Sequence, residues 1–171
     1  MEKLKINNNK HVLSFEFHTD LLAFDRLYNI CRLFEFEDIY MDIYSICNRE
    51  KDLYNNLSDN KLTSQVFCAR RKHFEDIHIK LSLNCLPQLL QILADYEFEE
   101  INVWDCYDSW ENYIEDKKNI APFITLKSDK VISNNKFYLN YVPDEGGKVT
   151  IICDLSYKNE DLQNQLAKYI K

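Results

Sequence analysis

The four histidines and six cysteines are the side chains best suited to metal or nucleophilic chemistry. Cys68, His73 and His78 each stand five positions apart in the sequence, and this spacing matches no common zinc site. On a strand, His73 and His78 would also point to opposite faces, because successive side chains alternate. We therefore predict no metal site and no cofactor.

Nucleophilic catalysis requires a cysteine or serine beside an oriented histidine. His18, with Cys85 or Cys106, stands near predicted strand ends. If these residues converged at one sheet edge, the protein would be a small enzyme or ligand-binding module with a pocket lined by Cys and His, and this is our alternative interpretation. The only two glycines, Gly146 and Gly147, are adjacent, so the chain has neither a serine nucleophile elbow nor a glycine-rich phosphate loop. We expect a binding protein rather than an enzyme.

The cellular environment is suggested by the cysteines and by the absence of targeting signals. The cysteines are far apart, form no Cys-x-x-Cys pair and mostly lie in apolar runs, which favours free thiols in a reducing compartment. The first residues contain no apolar signal core, and no run approaches the ~18 apolar residues of a membrane span. We expect a cytoplasmic protein that does not enter a membrane.

Negative charge is concentrated in one segment of the chain. Residues 95–116 contain nine of the 28 acidic residues and no lysine or arginine. With 21 basic residues in the whole chain, the remainder is close to neutral although the net charge is −7. The same segment contains both tryptophans, Trp104 and Trp110, and residues 33–48 repeat the acidic and aromatic pattern more weakly.

Carboxylates interleaved with large rings are typical of a surface that binds a basic protein, because the acids steer and pair while the rings anchor. We predict a small inhibitor that occludes a basic functional surface of a nuclease, toxin or defence effector, by analogy with immunity proteins. Direct binding to nucleic acid is not expected of an acidic chain. The predicted contact residues are Asp105, Asp108, Trp110, Glu111, Tyr113 and Glu115.

Two other interpretations remain open. Trp104 is equally compatible with a core position, and the acids of 108–116 with an ordinary solvated helix face. A subunit of a homo-oligomer without separate activity would bury the aromatic surface between copies. The basic cluster at 70–73 would promote such self-association if it docked on the acidic segment of a second copy.

The hydrophobic period alternates between two and 3.6 residues, which indicates an α+β chain. We predict one domain, 1–171, with a mixed, mostly antiparallel sheet of six to eight strands and about three main helices on one face. Residues 49–60 are interpreted as a loop with one helical turn. Strands are predicted near 3–6, 11–17, 38–47, 61–69, 76–83, 101–106, 122–127, 137–142 and 148–154, and helices near 19–31, 86–97, 108–116 and 158–170.

An internal similarity links 34–39 to 96–101, since both run from an aromatic and acidic corner into a strand. Each corner follows a predicted strand and helix. The pattern favours two duplicated β-α-β units, at about 11–47 and 77–107.

Overall fold

The computed structural model describes residues 4–8, 12–47, 53–62, 65–70, 74–105, 107–119 and 137–170. Its centre is a single antiparallel sheet of eight strands in the order β1-β2-β8-β7-β6-β3-β5-β4. The strands are β1 (Lys5–Asn8), β2 (Val12–His18), β3 (Asp38–Cys47), β4 (Val66–Arg70), β5 (Phe74–Ser82), β6 (Glu100–Asp105), β7 (Phe137–Val142) and β8 (Lys148–Asp154).

Five α-helices accompany the sheet in the described ranges: α1 (Arg26–Arg32), α2 (Leu53–Asp59), α3 (Leu86–Leu93), α4 (Trp110–Asn119) and α5 (Glu160–Ala167). The α+β class and the number of strands agree with the sequence prediction. Every described strand pair is antiparallel, so the sheet is not mixed. No helix in these ranges combines the length and apolarity needed to cross a bilayer.

The two faces of the sheet are covered differently. Alternate strand residues such as Phe15, Met41 and Ile79 pack with the apolar sides of α1, α2, α3 and α5 in the main core. The residues between them face the other way, where Tyr40 and Trp104 pack with α4. We call this second side the α4 face. The three main helices α1, α3 and α5 lie together on the main-core side, as predicted, whereas α4, predicted as a separate short helix, covers the other side.

The chain from β3 to β6 forms a recognisable unit. Its elements run β3-α2-β4-β5-α3-β6, and its strands lie side by side in the order β6-β3-β5-β4. This is the split β-α-β, or ferredoxin-like, arrangement. The two proposed repeat segments, β2 to β3 and β5 to β6, share the order strand, 3-10 turn, helix, strand. Three strands separate the first pair in the sheet and one separates the second, so duplication stays a prediction.

The turn between β7 and β8 agrees with the sequence prediction. Gly146 and Gly147 both adopt left-handed backbone conformations, with φ of 72° and 76°. Gly147 also lies against the segment that follows β2: Thr19 donates its backbone N–H to the Gly147 carbonyl at 2.8 Å. A Cβ at position 147 would lie 2.3 Å from the Thr19 carbonyl oxygen, so glycine is required here.

Two differences from the sequence prediction concern local elements. Residues 53–59 form a complete helix, because Leu53 and Leu57, one turn apart, are both buried. Helix α4 begins at Trp110 rather than near 108. Ser109 is its capping residue, because the Ser109 hydroxyl accepts a hydrogen bond from the Asn112 N–H. The strand predicted at 122–127 lies outside the described residues.

Candidate functional site

Acidic residues from several elements meet at one end of the sheet. Tyr40 pairs with Trp104, so β3 begins at the end where β6 finishes. Phe137 pairs with both Asp105 and Cys153, which places the end of β8 there as well. Helix α4 starts five residues beyond β6. We call this end, with its carboxylates Glu35, Asp38, Asp105, Asp108, Glu111 and Asp154, the acidic rim.

The pKa values of two tyrosines are raised in part by the negative charge of these carboxylates. Burial is the main cause of the raised pKa of Tyr40; Lys80 opposes it, and further increases come from Asp38, Glu111 and Asp105. Burial also raises the pKa of Tyr157, and acidic neighbours add to it, namely Asp105, Glu35 and Asp154. The acids that lie far apart in the sequence therefore act on the same small region.

The acidic segment 95–116 is divided by the fold. Strand β6 runs through its middle, so Glu97 and Glu99 lie at the opposite end of the sheet from Asp105. We call that opposite end the hairpin end, because it contains the turn between β7 and β8. The acidic rim therefore contains acids from only the second half of segment 95–116. Its other acids come from residues 34–39 and from the end of β8.

Five of the six predicted contact residues reach the surface. Asp108, Glu111 and Glu115 are exposed, whereas Asp105 and Trp110 are half-buried. Tyr113 is wrong as a contact residue, because its side chain is completely buried between α4 and the sheet. The ring of Trp110 packs on Tyr113 with centroids 5.5 Å apart.

The inner side of α4 is tied to a buried carboxylate, Asp42, in the middle of β3. Four side chains donate or share hydrogen bonds with it. Lys117 Nζ lies 2.8 Å from Oδ2, and Trp104 Nε1 donates to the same oxygen at 2.7 Å. The Tyr113 hydroxyl and His78 Nδ1 contact Oδ1, the latter at 2.8 Å. We call these five residues the Asp42 cluster.

The cluster keeps Asp42 ionised despite its burial. Burial alone would raise the pKa of this carboxyl, but the Lys117 ammonium and the hydrogen bond from His78 outweigh it. The net pKa lies well below the ordinary value of 3.8. Burial and the neighbouring Asp42 charge raise the pKa of Tyr113, so its hydroxyl remains a donor.

Aromatic rings enclose the Lys117 ammonium. Its Nζ lies 4.4 Å from the centre of the Trp104 ring and 5.3 Å from that of Tyr113, distances at which cation–π attraction operates. The side chain is 9% exposed. Tyr113 and Lys117 stand four residues apart, on one face of the helix, so Glu111 and Glu115 are directed outward.

The Asp42 cluster belongs to a larger concentration of buried polar groups. Apart from Thr19, the buried polar residues of the described ranges all lie on the three adjacent strands β6, β3 and β5: Asp42, Ser45, Glu75, Asp76, His78 and Asn102. Ser45 lies in a β-bulge with φ of 56°, and its N–H donates to Asp76 Oδ1 at 2.8 Å. Bulges and left-handed non-glycine residues are enriched at functional sites.

The arrangement suggested for catalysis by His18 and a cysteine is not formed with Cys85. His18 ends β2 at the hairpin end, whereas Cys85 follows β5 at the opposite end. Cys106 lies outside the described residues. In the part of the chain that the structure describes, no three metal-ligating side chains lie close enough to hold an ion, and Cys31, Cys85 and Cys153 are free thiols.

Sequence reasoning missed the Asp42 cluster, although a signal for it exists. Asp42, His78 and Asn102 each interrupt an apolar run in the middle of a strand. Such a strand is buried on both faces, so its polar residue must pair with another strand. The observed register confirms this: Asp42 pairs with His78 on one side and with Asn102 on the other.

No protein-family model and no curated protein matches the chain. Among solved structures, it is similar to the ligand-free regulatory subunit of aspartate kinase from Thermus thermophilus, at 8% identity and a TM-score of 0.28. That match covers 98% of this chain and 100% of the other. An overlap this loose does not establish a shared function.

Proposed function

We propose that the protein is an inhibitor that binds a basic functional surface of another protein through its acidic rim. The observation that carries this proposal is the gathering of carboxylates from β3, β6, β8 and α4 at one end of the sheet. Because the rim combines charge with the half-buried ring of Trp110, it offers both electrostatic steering and an anchor.

The structure supports a rigid contact surface. Helix α4, which carries the outward acids, is held against the sheet because Tyr113 and Lys117 on its inner side bind the buried Asp42. Side chains on a fixed helix lose less conformational freedom on binding than side chains on a loose loop. Among the described residues near the rim, Lys80 lies 3.3 Å from Asp38, and both of these side chains are substantially exposed. An exposed pair of this kind is weak and can exchange for a partner's cation.

A matched pair of variants tests the proposal. Asp108→Asn with Glu111→Gln removes two exposed charges from the rim, and Glu99→Gln with Asp144→Asn removes two from the hairpin end. Proteins retained from native lysate at low salt are compared for the wild type and both variants. We expect at least one basic protein to be retained by the wild type and by the hairpin-end variant, and lost by the rim variant.

The anchor is tested on the same retained protein. If the Trp110 ring is a hot spot, Trp110→Ala should weaken binding between this protein and the retained partner by about 2 kcal/mol or more, roughly 25-fold. Circular dichroism confirms that each variant is folded. The proposal is contradicted if no retained protein distinguishes the rim variant from the hairpin-end variant.

A further inference from the structure

Lys80 brings a positive charge to the acidic rim. It lies on β5, where it pairs with Tyr40 of β3, and two residues later Ser82 pairs with Asp38. Its Nζ lies 3.3 Å from Asp38 Oδ2 and 5.9 Å from the centre of the Tyr40 ring. A carboxylate and an aromatic face both attract a cation. The rim therefore already holds one cation, and that cation belongs to the chain itself.

The charge of Lys80 acts on the same region as the rim carboxylates. Burial is the largest cause of the raised pKa of Tyr40, and Lys80 is the next largest influence, in the opposite direction. Its effect on this ring exceeds that of Asp38, Glu111 or Asp105 taken singly. Lys80 thus offsets part of the negative field that a basic partner would use.

The contact between Lys80 and Asp38 is loose enough to open. The two side chains are 32% and 51% exposed, and their charged atoms are farther apart than the 2.8 Å between the buried Lys117 and Asp42. Exposed pairs of this kind are worth little in water. Because a lysine ammonium is carried on a flexible four-carbon stem, it can leave the carboxylate without a change in the strand.

We propose that Lys80 is an internal competitor for the acidic rim: its ammonium occupies Asp38 in the free protein and is displaced by a cation of the bound partner. This inference rests on the proposed function, because it concerns the regulation of the same surface. Exchange of one ammonium for another at Asp38 gains almost nothing. A ligand with one cation therefore gains little there, whereas a surface with several cations binds through the remaining carboxylates.

The test measures binding of fluorescently labelled hexalysine to the full chain by anisotropy. Lys80→Gln should bind this probe about two- to fivefold more tightly than the wild type, the range expected for an exposed ion pair. Lys148→Gln is the matched control, because Lys148 lies 3.3 Å from Glu145 in another exposed pair, at the hairpin end. At about 0.1 M salt the Debye length is about 10 Å, so removal of this distant charge should leave the affinity nearly unchanged.

Asp38→Asn separates displacement from general repulsion between Lys80 and the probe. If Lys80 weakens binding by occupying Asp38, adding Lys80→Gln to Asp38→Asn should bring no further gain, because the carboxylate that Lys80 covers is already gone. General repulsion would give the same gain in both backgrounds. Circular dichroism confirms that each variant is folded.

Three results would overturn the inference: an equal gain from Lys80→Gln and Lys148→Gln, a gain that persists in the Asp38→Asn background, or no binding of hexalysine by either the wild type or Lys80→Gln. The proposed function is judged separately, by whether the rim variant, Asp108→Asn with Glu111→Gln, loses a protein from lysate that the hairpin-end variant retains. Loss of that protein together with any of the three results would leave the proposed function standing and remove Lys80 as its competitor.

Discussion

Breaking the contact between Asp42 and Lys117 is predicted to be among the most destabilising single changes in this protein. The two charged atoms are 2.8 Å apart, and Asp42 is completely buried. At an effective dielectric constant of about 20, this separation corresponds to roughly 6 kcal/mol of attraction. The cost of removing both charges from water offsets much of it, so the intact pair adds little net stability.

Removing one partner is different, because the desolvated charge that remains is uncompensated. Asp42→Asn leaves Lys117 buried against rings and replaces an acceptor that serves four donors. We expect a loss of about 3–5 kcal/mol in the free energy of unfolding. Lys117→Met keeps most of the apolar stem and leaves Asp42 with its three other hydrogen-bond partners, so we expect a smaller loss of about 2–4 kcal/mol.

The double variant distinguishes this reasoning from simple loss of packing. With both charges gone, neither is left unpaired, so the combined loss should fall short of the sum by about 2–3 kcal/mol. Urea unfolding followed by tryptophan fluorescence measures all three, since Trp104 and Trp110 are the only tryptophans: Trp104 belongs to the Asp42 cluster, and Trp110 packs against it. Glu111→Gln, on the exposed side of the same helix, is the control and should change stability by less than about 0.5 kcal/mol. Additive losses would refute the argument.

Two further predictions concern the same fold. The pKa of Asp42 is lower in the folded than in the unfolded protein, so its contribution is present at neutral pH and is lost as the pH falls below the ordinary value of 3.8. The stability difference between wild type and Asp42→Asn should therefore shrink in this acid range, and a constant difference in urea titrations would contradict it. Gly147→Ala should cost roughly 2–5 kcal/mol, from its positive φ and the 2.3 Å approach to the Thr19 carbonyl oxygen. Gly146→Ala, with the same sign of φ and a nearest neighbour at 3.9 Å, should cost only about 1–2 kcal/mol, so equal losses in thermal unfolding would exclude the contact as the cause.

Most of the strands were predictable because their local signals and their tertiary environment agree. β2 and β8 alternate apolar and polar residues, and the glycine pair between β7 and β8 permits few structures other than a turn. Helix α2 gave a weak signal, since only Leu53 and Leu57 are buried in a polar segment. Its helicity depends on packing against the core rather than on its own sequence.

The candidate site was less predictable, because distance along the chain does not report distance in space. The acidic segment appeared continuous, yet β6 carries its two halves to opposite ends of the sheet. The periodicity of α4 indicated a helix with one buried side but not which face of the sheet it would cover. That choice put Tyr113 inside and left Glu111 and Glu115 outside.

A buried ion pair contributes little net stability to a fold, because apolar side chains of similar volume often stabilise it as well or better. The geometry of the Asp42 cluster suggests a more specific role. Tyr113 and Lys117 reach Asp42 together only at one rotation and one axial position of α4, whereas apolar contacts tolerate sliding. The same carboxylate also contacts His78 on the neighbouring strand, whose Nδ1 lies 2.8 Å from Oδ1. We interpret Asp42 as the residue that fixes α4 against the sheet and so sets the geometry of the proposed contact surface, on which Glu111 and Glu115 point outward.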